Sequence, residues 1–484
     1  MRTGNETTPG DGPRWVRPIN AMFGRLVRNR RATVDFVTEA PAPLQPIDLT
    51  DDAQVAKVLD LAVRVGEVLL SSGTSVMDSI AQVRFITSTY GLVRCDIDIT
   101  YDSITISADR GPSLPPASTM RIVRFRSLDF TRLAAVDRLT RQIRREVVEP
   151  DAAYAALDAI NHAPHPYNRF VATFAWSALA GSISFLLGGG VLMGVISFFT
   201  TTVIYLVNLW LNRHGLPLFF QHVVGGAIAA APAITVYTFA EELGVRIDPS
   251  QIIAAGITVL LSGLSLVGSV QDAIMGAPIT ASARFVELLM MTGGIIAGIA
   301  FTLRFADISG ADPLVIATIP PQDVTLQLVK VVAGAAAAMA FALACYAERR
   351  ALAAAGAGGA AGSLSFLLLQ QAGFGPVIAS GFAATVVGLA GGLMARRALT
   401  PPLVVAVAGI TPLLPGLSLY RGLYAILNDQ LLVGISALAA AFGIGCALAA
   451  GVTLGEWFAR ALRRPRRLRR VGSLRRPVLR VRRS

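Results

Sequence analysis

Charge is scarce in this 484-residue chain. Asp, Glu, Lys and Arg make up 15% of it against 53% hydrophobic residues, and the mean hydropathy is +0.57. Soluble domains carry about 25% charged residues, so a purely soluble chain is excluded. The composition points to a polytopic membrane protein with something soluble attached. Lysine is nearly missing, with only Lys57 and Lys330. The three cysteines, Cys95, Cys345 and Cys446, lie far apart without paired spacing. That excludes a disulfide framework or a zinc motif and leaves buried free thiols. About the first 40 residues hold no apolar core of signal-peptide length, so no cleaved signal is expected. There is no phosphate-binding loop, and Gly188-Gly189-Gly190 reads as a tight turn. Transport by this chain would have to use a gradient. No nucleophile elbow surrounds any serine. No catalytic residue, metal site or cofactor is expected, and the chain does not read as an enzyme.

One stretch occurs twice. Ala255-Gly256-Ile257-Thr258-Val259-Leu260-Leu261-Ser262-Gly263-Leu264-Ser265-Leu266 recurs 153 residues later as Ala408 to Leu419, with 10 of 12 positions identical. The two differences, Val259/Pro412 and Ser262/Pro415, are prolines in the second copy. Identity at that level indicates an internal duplication. Each copy interrupts a long apolar span with Gly, Ser and Thr. Paired interruptions of this kind in two halves of a chain point to a transporter's binding site.

Taken in order, residues 1–48 are polar and basic and are expected to be disordered. Residues 49–150 read as a small cytoplasmic α/β domain. Thr50, Asp51 and Asp52 start a helix, and Val55, Val58, Leu59, Ala62, Val65 and Leu69 follow a helical period. Ser75 caps a second helix that Gly91 closes. Val93, Cys95, Ile97 and Ile99 alternate as a strand, with two more at 104–107 and 120–125. A basic amphipathic helix over about 130–147 leads to a linker, 151–168, in which His162 and His165 read as interfacial. A hydrolase built from Ser71–Ser75, Asp78 and these histidines is disfavoured, because helix termination and capping explain the serines.

Spans need about 20 apolar residues. Ten stretches qualify: 170–188, 191–211, 217–240, 251–270, 284–304, 324–346, 351–370, 374–395, 402–420 and 431–457. Arg213, Arg284, Arg349, Arg350, Arg396 and Arg397 fall in alternate gaps, and the others hold Glu241, Glu242, Asp248, Asp307, Asp312, Asp323 and Asp429 with only Arg246, Arg304 and Arg421 as basic residues. That is the positive-inside pattern, and it places both termini in the cytoplasm. The repeat copies lie in spans four and nine. The repeat unit is therefore five spans, and an odd number turns the second half upside down. The expected fold is an α-helical polytopic membrane protein of about ten spans as a five-plus-five inverted repeat, with halves 169–310 and 311–457. Residues 458–484 form a basic cytoplasmic tail, with 12 arginines and no acid from Arg460 on. Such a tail touches anionic lipid. Aromatics do not interleave with its arginines, so nucleic acid is not an expected partner.

Candidate site residues follow from the breaks. Gly263, Pro415 and Gly416 free backbone carbonyls and amides inside the membrane. Thr258, Ser265, Thr411 and Ser418 add hydroxyls, and Arg421 could hold a substrate carboxylate. Close helix packing, which small residues also permit, is the competing reading. Asp272 or Glu287 could carry a proton, since ionisable groups at such depth are costly and often functional. Snorkelling to the interface competes there, and it is the preferred reading of Lys330.

The pattern resembles the threonine/serine exporter (ThrE) family over roughly residues 50–457. The helix before Ser72-Gly73-Thr74-Ser75, the five-plus-five layout, and Pro415-Gly416 followed by Tyr420-Arg421-Gly422 carry the resemblance. It implies a secondary active exporter of threonine and serine in the plasma membrane, an antiporter driven by the proton motive force. Split relatives imply a dicarboxylate exporter as the alternative. A membrane-anchored enzyme or regulator acting through residues 49–150 is a further alternative, against which the duplication argues. A homo-oligomer stays open.

Overall fold

The computed structural model describes residues 46–123, 128–146, 148–240, 249–260, 263–308, 324–398, 401–427 and 429–463. The basic segment up to residue 45, the arginines beyond Arg463, and Glu241, Glu242, Arg246, Asp248, Asp312 and Asp323 lie outside these residues. Residues 36–459 form one compact unit. Residues 1–35 and 460–484 form another, of which only the end of the last helix is described.

The N-terminal region is α/β. Helix α1 (Asp52–Ser71) is capped by the Asp51 side chain, which accepts from the amides of Ala53 and Gln54. Helix α2 (Val76–Thr89) is capped by Ser75, which accepts from Asp78 N and donates to Asp78 Oδ2 at 2.8 Å. Capping thus occupies the serine and aspartate of that motif. Strands β1 (Cys95–Thr100), β2 (Ser103–Ala108) and β3 (Ala117–Ile122) form an antiparallel sheet in the order β1-β2-β3. Ile99 pairs with Ile104, and Ile104 with Arg121, so these side chains share one face. That face lies under α1 and α2. Val55, Val58, Leu59, Val65, Ile104 and Ile106 are buried there. Each contributes about 1.5–3 kcal/mol of transfer free energy.

The third strand differs from expectation. It runs over 117–122 rather than 120–125. Arg121 turns towards α1, where it pairs with Glu67 and lies 3.9 Å from Asp60. Alternation then sends Met120 and Ile122 to the open face, 62% and 50% exposed. Helices α3 (Phe130–Arg145) and α4 (Pro150–His162) pack against α1 and complete the region.

Among the described residues eight helices are long and apolar enough to cross a membrane: α5 (Arg169–Leu186), α6 (Val191–Arg213), α7 (Leu218–Ala240), α10 (Pro278–Ile308), α11 (Val324–Ala344), α12 (Arg349–Gln371), α13 (Pro376–Ala398) and α16 (Leu431–Arg463). The chain is a polytopic helical membrane protein. Between them lie α8 (Pro249–Leu260) with α9 (Gly263–Ile274), and α14 (Pro402–Ile410) with α15 (Gly416–Leu427). Helices pack through small residues. A β-carbon on Gly298 of α10 would collide with the Val223 carbonyl of α7. One on Gly451 of α16, the same 153 residues later, would collide with the Gly381 carbonyl of α13. The helices that open the two sets, α5 and α11, pack on each other, with Trp176 edge-on to Phe341 at 5.8 Å.

Candidate functional site

Both copies of the repeated stretch are interrupted. Helices α8 and α9 are inclined by 55°. In the second copy α14 stops at Ile410, Thr411–Leu413 tighten to a 3₁₀ turn, and α15 starts at Gly416. The prolines explain this break. Pro412 and Pro415 bring no N–H to the helical ladder. A residue before proline is pushed to extended backbone, and Leu414 sits at φ −62°, ψ 139°. Helix α9 runs from Gly263 and α15 from Gly416, which are equivalent positions at the 153-residue offset.

The interrupted segments meet. Helix α15 packs on α8, and a β-carbon on Gly416 would collide with Thr258 Oγ1. Val267 of α9 shares a buried cluster with Ala406 and Ile410 of α14. The equivalent threonines behave alike. Thr258 donates to Ala254 O at 2.7 Å and Thr411 to Val407 O at 3.0 Å, each four residues back. This back-bonding bends helices slightly and leaves each oxygen free to accept. Pro415, Ser418 and Ser265 are half-buried nearby in sequence. Arg421, half-buried on α15, has its Nε shielded from solvent without a hydrogen-bond partner among the described residues. A guanidinium in that state has capacity left for a carboxylate. Lys330 is half-buried on α11.

The two carboxylates lie elsewhere. Asp272, fully buried at the end of α9, pairs with Arg284 of α10 at 2.5 Å, and Arg284 is itself 9% exposed. Its other oxygen accepts from Val76 N, the first amide of α2, at 3.0 Å. A carboxylate at a helix N-terminus is favoured by the helix dipole. Glu287 accepts from Tyr101 Oη at 3.1 Å. Tyr101, at φ +54° in the β1–β2 turn, also donates its amide to Thr280 Oγ1 at 3.0 Å. Both carboxylates therefore face the N-terminal region. No local pattern marks Arg284, Tyr101 or Val76 as their partners, since the pairs are up to 196 residues apart.

A second contact ties α3 to the α11–α12 turn. Phe130 N donates to Cys345 O at 3.0 Å, Thr131 Oγ1 donates to Tyr346 O, and Arg138 pairs with Glu348 at 2.6 Å. His165 stacks on Tyr346 at 4.4 Å and its Nδ1 lies 3.4 Å from Asp129. His162 binds only its own helix, at Asp158 O.

A polytopic bundle of apolar helices with two interrupted segments meeting inside it is the architecture of a membrane transporter. The family described as a putative threonine/serine exporter matches residues 60–306, and a second family description, threonine/serine exporter, matches 330–458. The threonine/serine exporter of Corynebacterium glutamicum is 46% identical over 444 residues, covering 91% of each chain. A probable threonine/serine exporter of Mycobacterium tuberculosis is 40% identical over 419 residues, covering 85% of this chain and 78% of that one. The chain belongs to the threonine/serine exporter family and is a transporter, not an enzyme. No solved structure matches it.

Proposed function

We propose that the protein is a secondary active exporter of threonine and serine, working as a proton antiporter in the plasma membrane. The meeting of the two repeat copies at Gly416 and Thr258 carries this reading. In it, the chain has ten spans in two inverted halves of five, with α8–α9 and α14–α15 as the broken fourth and ninth spans. Supporting observations are the shared offset of the breaks and the matching glycine contacts at Gly298 and Gly451.

The substrate sits where the copies meet. Backbone groups freed at Gly263, Pro415 and Gly416 bind its ammonium and carboxylate, with the hydroxyls of Thr258, Ser265, Thr411 and Ser418 around them. Arg421 holds the carboxylate. Residues 49–150 form a cytoplasmic domain, and both termini are cytoplasmic. The N-terminal region touches the end of α9 and the α11–α12 turn, and the helices that follow carry Arg284, Arg349 and Arg350 in their first two turns. The remaining domain limits stay as the sequence suggests, with anionic lipid at the arginine tail.

Asp272 and Glu287 couple transport to protons. Protonating Asp272 removes the countercharge of Arg284, and protonating Glu287 weakens its bond from Tyr101. Either event loosens the first half from the cytoplasmic domain. The test is efflux of labelled threonine from cells lacking their own exporters, loaded with threonine-containing dipeptides hydrolysed inside. Protonophore-sensitive release, lost in an Asp272→Asn/Glu287→Gln variant, is expected. Unchanged proton-driven release by that variant removes the coupling assignment. No threonine or serine release by well-expressed wild type removes the exporter reading.

A further inference from the structure

A cleft of about 720 Å³ lies in the N-terminal region, away from the repeat. Its walls include Glu67 and Ser72 at the end of α1, Arg121 on β3, Asp129 and Arg132 at the start of α3, and Asn161 on α4. The volume is that of a small-molecule site. Among the described residues two carboxylates and two guanidiniums line it, and these charges cancel. Arg121 pairs with Glu67. Arg132 Nε lies 3.3 Å from Asp129 Oδ2, yet it is buried and makes no hydrogen bond. A ligand carrying both signs and no net charge can satisfy such a lining. Its carboxylate takes up the Arg132 Nε that Asp129 leaves without a hydrogen bond, and its ammonium meets Glu67 or Asp129. A dianion would leave both carboxylates facing like charge.

The cleft wall is also the link to the membrane helices. Asp129 caps α3 by accepting from Arg132 N at 3.0 Å. The next two residues, Phe130 and Thr131, bond the α11–α12 turn. We propose that this cleft is a second binding site, for a small zwitterionic amino acid, whose occupancy acts through α3 on the transport helices. The assignment of threonine or serine as occupant rests on the exporter reading.

The test places a reporter at the cleft. Asn161, half-buried on α4, lines it and is changed to cysteine in the full-length protein. Labelling by a maleimide is followed in detergent, with the unsubstituted chain as background. That background is low once half-buried Cys446 is changed to serine in both chains, because Cys95 and Cys345 are buried, and burial pushes the Cys95 thiol up. Threonine is expected to slow labelling several-fold and succinate is not. Arg132→Ala abolishes the protection. Gly416→Leu or Arg421→Gln, which disable the central site, leave it intact. Loss of protection in both of those variants overturns the proposal, as does equal protection by succinate. Absence of protection in a protein that still exports threonine overturns the proposal alone. Absence of both overturns the exporter reading with it.

Discussion

The two copies of the repeated stretch share their chemistry up to the bend and part company after it. The first copy has no proline, and α8 and α9 are inclined by 55° all the same. The second has Pro412 and Pro415 and adds a 3₁₀ turn. The first copy therefore bends without proline, whereas in the second Pro412 and Pro415 shape the break. Beyond the bend, α9 carries Asp272 into a buried ion pair held against α2, whereas α15 carries Arg421, whose Nε has no hydrogen-bond partner among the described residues. One broken helix is tied to the N-terminal region, and the other keeps a cation in reserve. That asymmetry fits a division of labour between coupling and substrate binding.

The largest effect should come from the tied copy. Asp272→Asn removes one carboxylate of a buried ion pair, a change that costs about 3–5 kcal/mol. Thermal unfolding of the purified protein should show it, and Asp272→Asn/Arg284→Met should recover most of the loss. If the double variant is as unstable as the single one, the ion pair is not what holds the first copy.

In the other copy, Arg421→Gln should act on substrate and not on stability. A hydrogen bond to a charged group contributes about 1.5–3 kcal/mol, so the KM for threonine should rise by roughly tenfold or more. An unchanged KM would leave the second copy without a substrate role. Tyr101→Phe removes the bond to Glu287 but keeps the turn. It should cost about 1 kcal/mol in unfolding and shift the proton dependence of efflux.

The smallest effect belongs to the difference between the copies themselves. Pro412→Val with Pro415→Ser writes the first copy's residues into the second. Prolines in compatible places stabilise by about 0.4–1 kcal/mol each, so unfolding should move slightly and efflux should persist. Loss of efflux would show that the 3₁₀ turn itself is required.

Local features were legible in the sequence. Asp51 and Ser75 announce their caps, because a short polar side chain before an apolar period has one common use. Apolar length marks the eight long helices, and glycine and proline mark where the fourth and ninth stretches break. The partners of the candidate carboxylates were not legible. Arg284 looks like one more positive-inside charge, since nothing within a helical turn of it reveals Asp272 across the α9–α10 turn. Tyr101 looks like an ordinary turn residue until folding brings Glu287 to its hydroxyl. The strand β3 was misplaced by three residues for a similar reason. Its apolar residues fit either face, and Glu67 and Asp60 on another element decide which way Arg121 points.

The most direct test of the account is a cross-link between the copies. A β-carbon on Gly416 would lie 3.5 Å from the Thr258 β-carbon, within reach of a disulfide. Thr258→Cys/Gly416→Cys should be made in a chain whose three native cysteines are replaced. Oxidation is then expected to join the halves, read as a band that survives cleavage between them until it is reduced. Threonine efflux should stop on oxidation and return on reduction. Failure to cross-link, or efflux at the same rate through the oxidised protein, would contradict a transport site built where the two copies meet.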